Sequence, residues 1–239
     1  MRNENMPDLI DTLGQTLAQG LGANLACLAV YGSAADDSFR PEHSDINLVV
    51  VLQKVEFADL ELIGELLRTQ QQNQKLRIAT PLVIAPSFLQ DARDSFPMEL
   101  ADIARRHRIL AGEDLLSDIQ VSPVRLRDEA EREARGKLLR LRALVMHRPA
   151  AEEIRESLMG LLSSFTVIEK ALLEESTGGL DLLARLEDRQ SVRLTSMRKL
   201  QKIRDGSEKW PDEPFLHDLL RDTTLEVETL VQWVDQHEG

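Results

Sequence analysis

The segment of residues 31–52, YGSAADDSFRPEHSDINLVVVL, decides the fold of this chain. It opens where an apolar run, residues 25–31, meets a Gly-Ser pair, and it closes in a second apolar run, residues 48–52. A polar stretch separates the two runs. Two apolar runs joined through a glycine turn and a polar spacer predict a pair of strands that form one hairpin-like unit.

Residues at the two ends of the spacer have properties that suit a phosphate-bearing ligand. Gly32 lets the backbone turn and approach a ligand closely, because it has no Cβ atom. If Ser33 caps a short helix after the strand, the backbone N–H groups there would face a phosphate. Asp45 and Asn47 lie two residues apart and therefore project from the same face of a strand. Oxygen atoms on that face are suitable ligands for a divalent cation.

This segment resembles the nucleotidyltransferase superfamily, in which a strand, Gly-Ser, a spacer of this length and Asp-apolar-Asp/Glu-apolar follow in this order. The resemblance implies a palm domain with a mixed sheet, in which Gly32 and Ser33 cradle the phosphates of a nucleoside triphosphate. It also implies that Asp45 holds Mg²⁺, with Asn47 as a weaker metal ligand. The chain departs from the family pattern at Asn47, where the second carboxylate is expected, and at Asp36, where members often carry a basic residue.

The stretch FPMELADI, residues 96–103, resembles the part that closes the catalytic domain in one group of bacterial nucleotidyltransferase-like proteins. The resemblance implies a strand that carries acidic residues and supplies a third carboxylate, as a metal ligand or as a base toward the acceptor hydroxyl. Glu99 and Asp102 are the two candidates. They would lie on opposite faces of a regular strand, so only one would join Asp45. The choice stays open, although the Phe-Pro-x-Glu context favours Glu99.

Other segments of the first 116 residues alternate between helical and strand patterns. Leucines at four-residue spacing predict a helix over residues 6–21, and a second helix is predicted over residues 57–72. Residues 48–52 lack polar alternation, which indicates a central strand covered on both faces. Residues 76–85 contain a third strand, and Pro81 predicts that it is an edge strand or that it starts at Leu82.

Strand patterns end near residue 122 and are followed by four helical periodicities. These predicted helices cover residues 124–147, 151–175, 180–204 and 214–236. Amphipathic helices with short connections predict an antiparallel bundle. The sequence therefore predicts an α/β (α+β) protein: a nucleotidyltransferase-like mixed-sheet domain at residues 1–116, followed by a four-helix bundle at residues 122–238. The bundle is expected to form the other wall of the substrate cleft or a homodimer interface.

Composition narrows the classes of partner. The 239 residues carry a net charge of −12 and only 4% aromatic residues, which argues against nucleic acid and favours a small polar substrate or a protein partner. No segment approaches the ~20 apolar residues of a membrane span. The first residues lack the apolar core of a signal peptide, so a cytoplasmic location is expected. Cys27 is the single cysteine, which excludes a disulfide within the chain.

The leading functional hypothesis is that a nucleoside monophosphate is transferred from a nucleoside triphosphate to a small acceptor with Mg²⁺, in a reaction impaired by Asn47. This would resemble the reaction of the aminoglycoside nucleotidyltransferases. One alternative is a degenerate palm that binds a nucleotide or a protein without chemistry, which Asn47 and Asp36 favour. A second alternative is a component of a toxin–antitoxin pair.

Overall fold

The chain divides into two compact units, and the boundary between them falls between Ser122 and Pro123. The computed structural model describes residues 6–35, 45–74, 77–172, 187 and 193–236. The first unit contains a mixed sheet with helices on both faces. The second unit consists of helices in its described part.

The sheet of the first unit has four strands in the order β3-β2-β1-β4. They are β1 (Leu25–Tyr31), β2 (Asn47–Leu52), β3 (Leu82–Ile84) and β4 (His107–Gly112). The central strand β1 pairs antiparallel with both β2 and β4, and β2 pairs parallel with the edge strand β3. The predicted hairpin-like pairing of the first two strands is therefore confirmed. Its register places Tyr31 directly opposite Asn47.

Helices cover the two faces of this sheet, which explains the continuous apolar runs. On one face, α1 (Met6–Leu21) and α2 (Phe57–Gln74) pack against alternate strand residues such as Val30 and Val50. On the other face, α3 (Pro86–Asp91) and α4 (Pro97–Arg105) pack against the intervening residues. Since Asn47 alternates in step with Val49 and Val51, its side chain belongs to the face covered by α4.

Two predicted elements differ from the structure. The predicted strand over residues 76–85 is reduced to Leu82–Ile84 and an isolated bridge between Ile46 and Ile78. Pro81 lies directly before the strand, and β3 is an edge strand, as the proline predicted. The second difference is larger, because FPMELADI was predicted as a strand and Pro97–Arg105 is a helix. Pro97 at the first position of the helix has a fixed φ that suits a helix start.

Four helices of the second unit have bounds within the described residues, and Glu187, described without its neighbours, is also helical. They are α5 (Pro123–His147), α6 (Ala151–Leu172), α7 (Thr195–Arg204) and α8 (Glu213–Gln236). α5 packs against α6 and α8, and α7 packs against the same two helices. The predicted helix over residues 180–204 is observed from Thr195 onward, and most of its earlier part lies outside the described residues. Within the described chain, no helix combines the length and hydropathy that crossing a bilayer requires.

Candidate functional site

The Gly-Ser turn follows directly from the end of β1. Gly32 has φ +71°, a conformation that favours glycine, and it begins a short 3₁₀ helix, Gly32–Ala35. The N–H of Gly32 donates to the carbonyl oxygen of Arg106 at 3.0 Å, so this amide is already used within the chain. Contacts from this turn to a phosphate would therefore have to come from Ser33 or from residues after it.

Three of the predicted site residues meet at this turn. A Cβ atom placed on Gly32 would lie 3.4 Å from Nδ2 of Asn47 and 3.8 Å from Oδ2 of Asp102. Asn47 begins β2, Asp102 lies on α4, and Gly32 follows β1, so three separate elements bring these groups together. The glycine leaves the space between the amide and the carboxylate open.

Both candidate carboxylates of α4 face this region, which differs from the prediction for a strand. Glu99 and Asp102 are three residues apart, and in a helix this spacing places them on one face. The Tyr31 hydroxyl donates to Oε1 of Glu99 at 2.7 Å. Burial raises the pKa of Tyr31, and the negative charges of Glu99 and Asp102 raise it further. Tyr31 is therefore a neutral hydrogen-bond donor beside two carboxylates.

The candidate carboxylates have different partners. Oδ1 of Asp102 contacts a guanidinium nitrogen of Arg106 at 3.1 Å, and the Arg106 side chain is only 9% exposed. Asp45, directly before β2, pairs with Arg77 at 2.9 Å, and both of these side chains are about half exposed. Glu99 is exposed and has the neutral hydroxyl of Tyr31 as its partner. Of the three carboxylates, two are therefore balanced by arginine.

A comparison with solved structures identifies the architecture. The spectinomycin adenyltransferase AAD(9) from Enterococcus faecialis, solved with ATP and spectinomycin, superposes with a TM-score of 0.62. The match covers 97% of this chain and 100% of that protein. The chain has a nucleotidyltransferase fold. The two sequences are 11% identical, so the likeness concerns the fold alone. No protein-family model matches the chain, and no curated protein matches it.

The nucleotidyltransferase fold implies a metal centre, and the donor atoms of this chain do not fit a centre with two metal ions. Asn47 offers one neutral amide oxygen, which bridges two cations poorly. Asp45 and Asp102 each contact a guanidinium group. In the described part of the chain, no group of three or more His, Cys, Asp or Glu side chains is arranged to hold a metal ion. A role for Mg²⁺ therefore remains a prediction.

Three residues of this nucleotidyltransferase-fold site were missed by sequence reasoning. Arg106 lies four residues after Asp102, and this spacing becomes informative only when the segment is recognised as a helix. Tyr31 directly precedes Gly32, and the sequence pattern marks it only as the end of a strand. Arg77 reaches Asp45 because the bridge between Ile46 and Ile78 joins segments that are remote in sequence.

Proposed function

We propose that this protein binds a nucleoside triphosphate beside the turn of Gly32 and Ser33, and that Asn47 keeps nucleotidyl transfer to a small acceptor slow. The observation that carries the proposal is the meeting of Gly32, Asn47 and Asp102 at one point. The open side of the glycine turn, the amide on the adjacent strand and the carboxylates of α4 provide a polar site where the two inner strands of the sheet, β1 and β2, reach the same end. Full-length likeness to an adenyltransferase solved with ATP and spectinomycin supports a nucleotide and a small acceptor as ligands.

Asn47→Asp tests whether Asn47 keeps nucleotidyl transfer slow. The substitution adds the missing carboxylate next to Asp102, so it increases the affinity of the site for Mg²⁺. The assay measures pyrophosphate release from ATP in the presence of Mg²⁺, with spectinomycin as the first acceptor. We expect the rate to rise about tenfold, which corresponds to an activation barrier lower by about 1.4 kcal/mol. The nucleotidylated acceptor would be identified by mass spectrometry.

Asn47→Ala is the matched control, because it removes the amide without adding a charge. An increase that occurs equally in Asn47→Ala would show that the amide blocks the site sterically and that metal affinity is not the cause. An unchanged rate in Asn47→Asp, at saturating Mg²⁺ and with a panel of acceptors, would contradict the transferase part of the proposal.

Binding is measured separately from chemistry. Calorimetry with ATP, GTP, CTP and UTP, each with and without Mg²⁺, tests whether the wild-type chain takes a nucleotide. Gly32→Ala supplies a control, because its Cβ would enter the space beside Asn47 and Asp102, while the φ of +71° costs alanine about 1–2 kcal/mol and circular dichroism checks that the variant is folded. Binding of at least one nucleotide that is lost in folded Gly32→Ala supports the site. Silence with all four nucleotides would contradict the proposal.

A binding module without chemistry is the second candidate. The observation that favours it is the pairing of Asp45 with Arg77 and of Asp102 with Arg106. These guanidinium groups balance the carboxylates that a transferase would use for cations. This candidate predicts nucleotide binding with equal affinity in the presence and absence of Mg²⁺, and no transfer in Asn47→Asp.

A further inference from the structure

The side chain of Tyr31 links the last residue of β1 to the first turn of α4. Its hydroxyl donates to Oε1 of Glu99 at 2.7 Å, while its backbone lies opposite Asn47 on one side and His107 on the other. Tyr31 is therefore fixed at the centre of the sheet, directly before the Gly32 turn. A hydrogen bond from such a residue restricts the position of an otherwise exposed glutamate.

Asp102 and Glu99 share a helix face but have different surroundings. Asp102 forms an ion pair with the buried guanidinium of Arg106, and the carbonyl of Arg106 accepts the N–H of Gly32. Arg106 therefore contacts both Asp102 and the Gly32 turn, and its charge balances that of Asp102. This partly buried pair is costly to break, because the carboxylate would be removed from beside a guanidinium that is only 9% exposed.

Glu99 remains available for a ligand. In the described part of the chain, the Glu99 side chain is exposed and its hydrogen-bond partner is the Tyr31 hydroxyl, which carries no charge. Tyr31 contacts Oε1, so Oε2 has no described protein donor. A carboxylate that is oriented, exposed and not balanced by a cation is suited to accept a proton from a bound hydroxyl group.

We infer that Tyr31 is a positioning residue, and that Glu99 rather than Asp102 is the carboxylate that faces the acceptor. This inference rests on the proposed function. In the reaction it implies, the acceptor hydroxyl oxygen forms a bond to the α-phosphorus of the nucleoside triphosphate. The bond from that phosphorus to the bridging oxygen breaks, and pyrophosphate leaves with the electron pair. The hydroxyl proton passes to Oε2 of Glu99, while Asp102 keeps its ion pair with Arg106.

The test separates the two carboxylates in the full-length Asn47→Asp chain, where transfer is expected to be measurable. Adding Glu99→Gln should lower kcat for pyrophosphate release about a hundredfold, because an amide cannot accept the proton of the acceptor hydroxyl. Adding Tyr31→Phe should lower kcat about tenfold, since Glu99 remains but is less well oriented. Both should leave the Kd for ATP within about twofold, because neither group is placed on the phosphates.

Asp102→Asn is the matched control on the same helix face, and it should lower kcat much less than Glu99→Gln does, because in the inferred reaction Asp102 takes no proton. If Glu99→Gln retains the parent rate, or if Asp102→Asn lowers kcat as much as Glu99→Gln does, the inference is wrong. If Asn47→Asp itself shows no transfer, the failure belongs to the proposed function. The two failures are therefore distinguishable.

The single tyrosine of the chain allows a measurement that does not depend on turnover. Wild-type protein labelled with 3-fluorotyrosine should give one ¹⁹F resonance in the folded state. We expect this resonance to move in Glu99→Gln, because the hydrogen-bond acceptor loses its charge, and to move much less in Asp102→Asn. A resonance that is unchanged in Glu99→Gln would show that Tyr31 does not hold Glu99 in solution, which would overturn the inference.

Discussion

Asn47 differs from aspartate only in having an NH₂ group where aspartate has an oxygen, yet this difference sets the charge of the site. Its Nδ2 atom lies near the same point as a carboxylate oxygen of Asp102. An amide there avoids repulsion between like charges, whereas two carboxylates that share a site repel each other unless a cation is present. The wild-type residue therefore stabilises this site without metal.

The first prediction at the residue scale follows from that charge. Without divalent cations, Asn47→Asp should lower the melting temperature by a few degrees, corresponding to about 1 kcal/mol, because it adds a negative charge beside Asp102. Millimolar Mg²⁺ should reverse the loss in Asn47→Asp and have little effect on wild type, since a cation that binds only the folded state stabilises it. Equal responses of the two proteins to Mg²⁺, measured by calorimetric melting, would argue against a cation at this position.

Asp114 gives a prediction about acid stability. The side-chain hydrogen bond from Ser117, followed by the backbone N–H of Leu116, lowers the pKa of Asp114 from 3.8 to about 2. A lowered folded-state pKa means that the stabilisation is present above pH 3.8 and is lost as the pH falls toward 2. In urea unfolding between pH 2 and pH 6, Asp114→Asn should therefore be less stable than wild type above pH 4. The difference between the two proteins should shrink as the pH approaches 2.

Asp118→Asn is the control for this acid effect, because it removes a negative charge from the same turn and leaves in place the hydrogen bonds that Asp114 accepts from Leu116 and Ser117. If Asp118→Asn reproduces the pH dependence of Asp114→Asn, the effect reflects net charge and the hydrogen bonds of Asp114 do not explain it.

At the scale of an element, the N-terminus of α7 is capped by a residue from another helix. Oε1 and Oε2 of Glu226, on α8, accept the backbone N–H groups of Ser196 and Met197 at 2.7 and 2.9 Å. Burial raises the pKa of Glu226, while these hydrogen bonds act in the opposite direction. The carboxylate satisfies two N–H groups that have no partner within their own helix.

Removing this cap should destabilise the second unit. Glu226→Ala leaves two backbone donors without partners, so we expect a loss of about 1–3 kcal/mol in the free energy of unfolding at neutral pH. Glu228→Ala, two residues along the same helix, breaks only the exposed ion pair with Arg142 and should cost about 0–1 kcal/mol. Equal losses in the two variants, measured by urea unfolding, would show that the cap adds nothing beyond an ordinary surface contact.

Elements were predictable where one periodicity dominated. Leucines at four-residue spacing located α1, and the unbroken apolar run located β2 as a central strand. The segment that became α4 was wrongly predicted as a strand, because a nine-residue helix spans only about two and a half turns and short apolar runs fit either period. This error also placed Glu99 and Asp102 on opposite faces, whereas the helix puts them on the same face.

At the scale of the whole molecule, the mixed-sheet and helical classes could be predicted from the change in periodicity near residue 122. The pairs that define the site could not, because they join residues remote in sequence. Tyr31 reaches Glu99 across 68 positions, and the Gly32 amide reaches the Arg106 carbonyl only after β4 pairs with β1. Such partners depend on sheet order and helix placement, which local patterns do not encode.

The two units each have their own core, so we expect them to unfold as separate cooperative blocks. The chain contains a probe for each unit: Tyr31, its only tyrosine, lies in the first unit, and Trp210 and Trp233, its only tryptophans, lie in the second.

Gly112→Ala should destabilise the first unit by about 2–4 kcal/mol, because Gly112 has φ +82° and a Cβ there would lie 2.2 Å from the carbonyl oxygen of Ala26. In urea, the ¹⁹F transition of labelled Tyr31 should move to lower concentration while the tryptophan fluorescence transition stays in place. Gly136→Ala is the control in α5, where a Cβ meets no described atom within 4 Å. It should increase the free energy of unfolding of the second unit by about 0.5–1 kcal/mol, so that only the tryptophan transition moves to higher urea concentration. If both probes move together in either variant, the chain unfolds as one block.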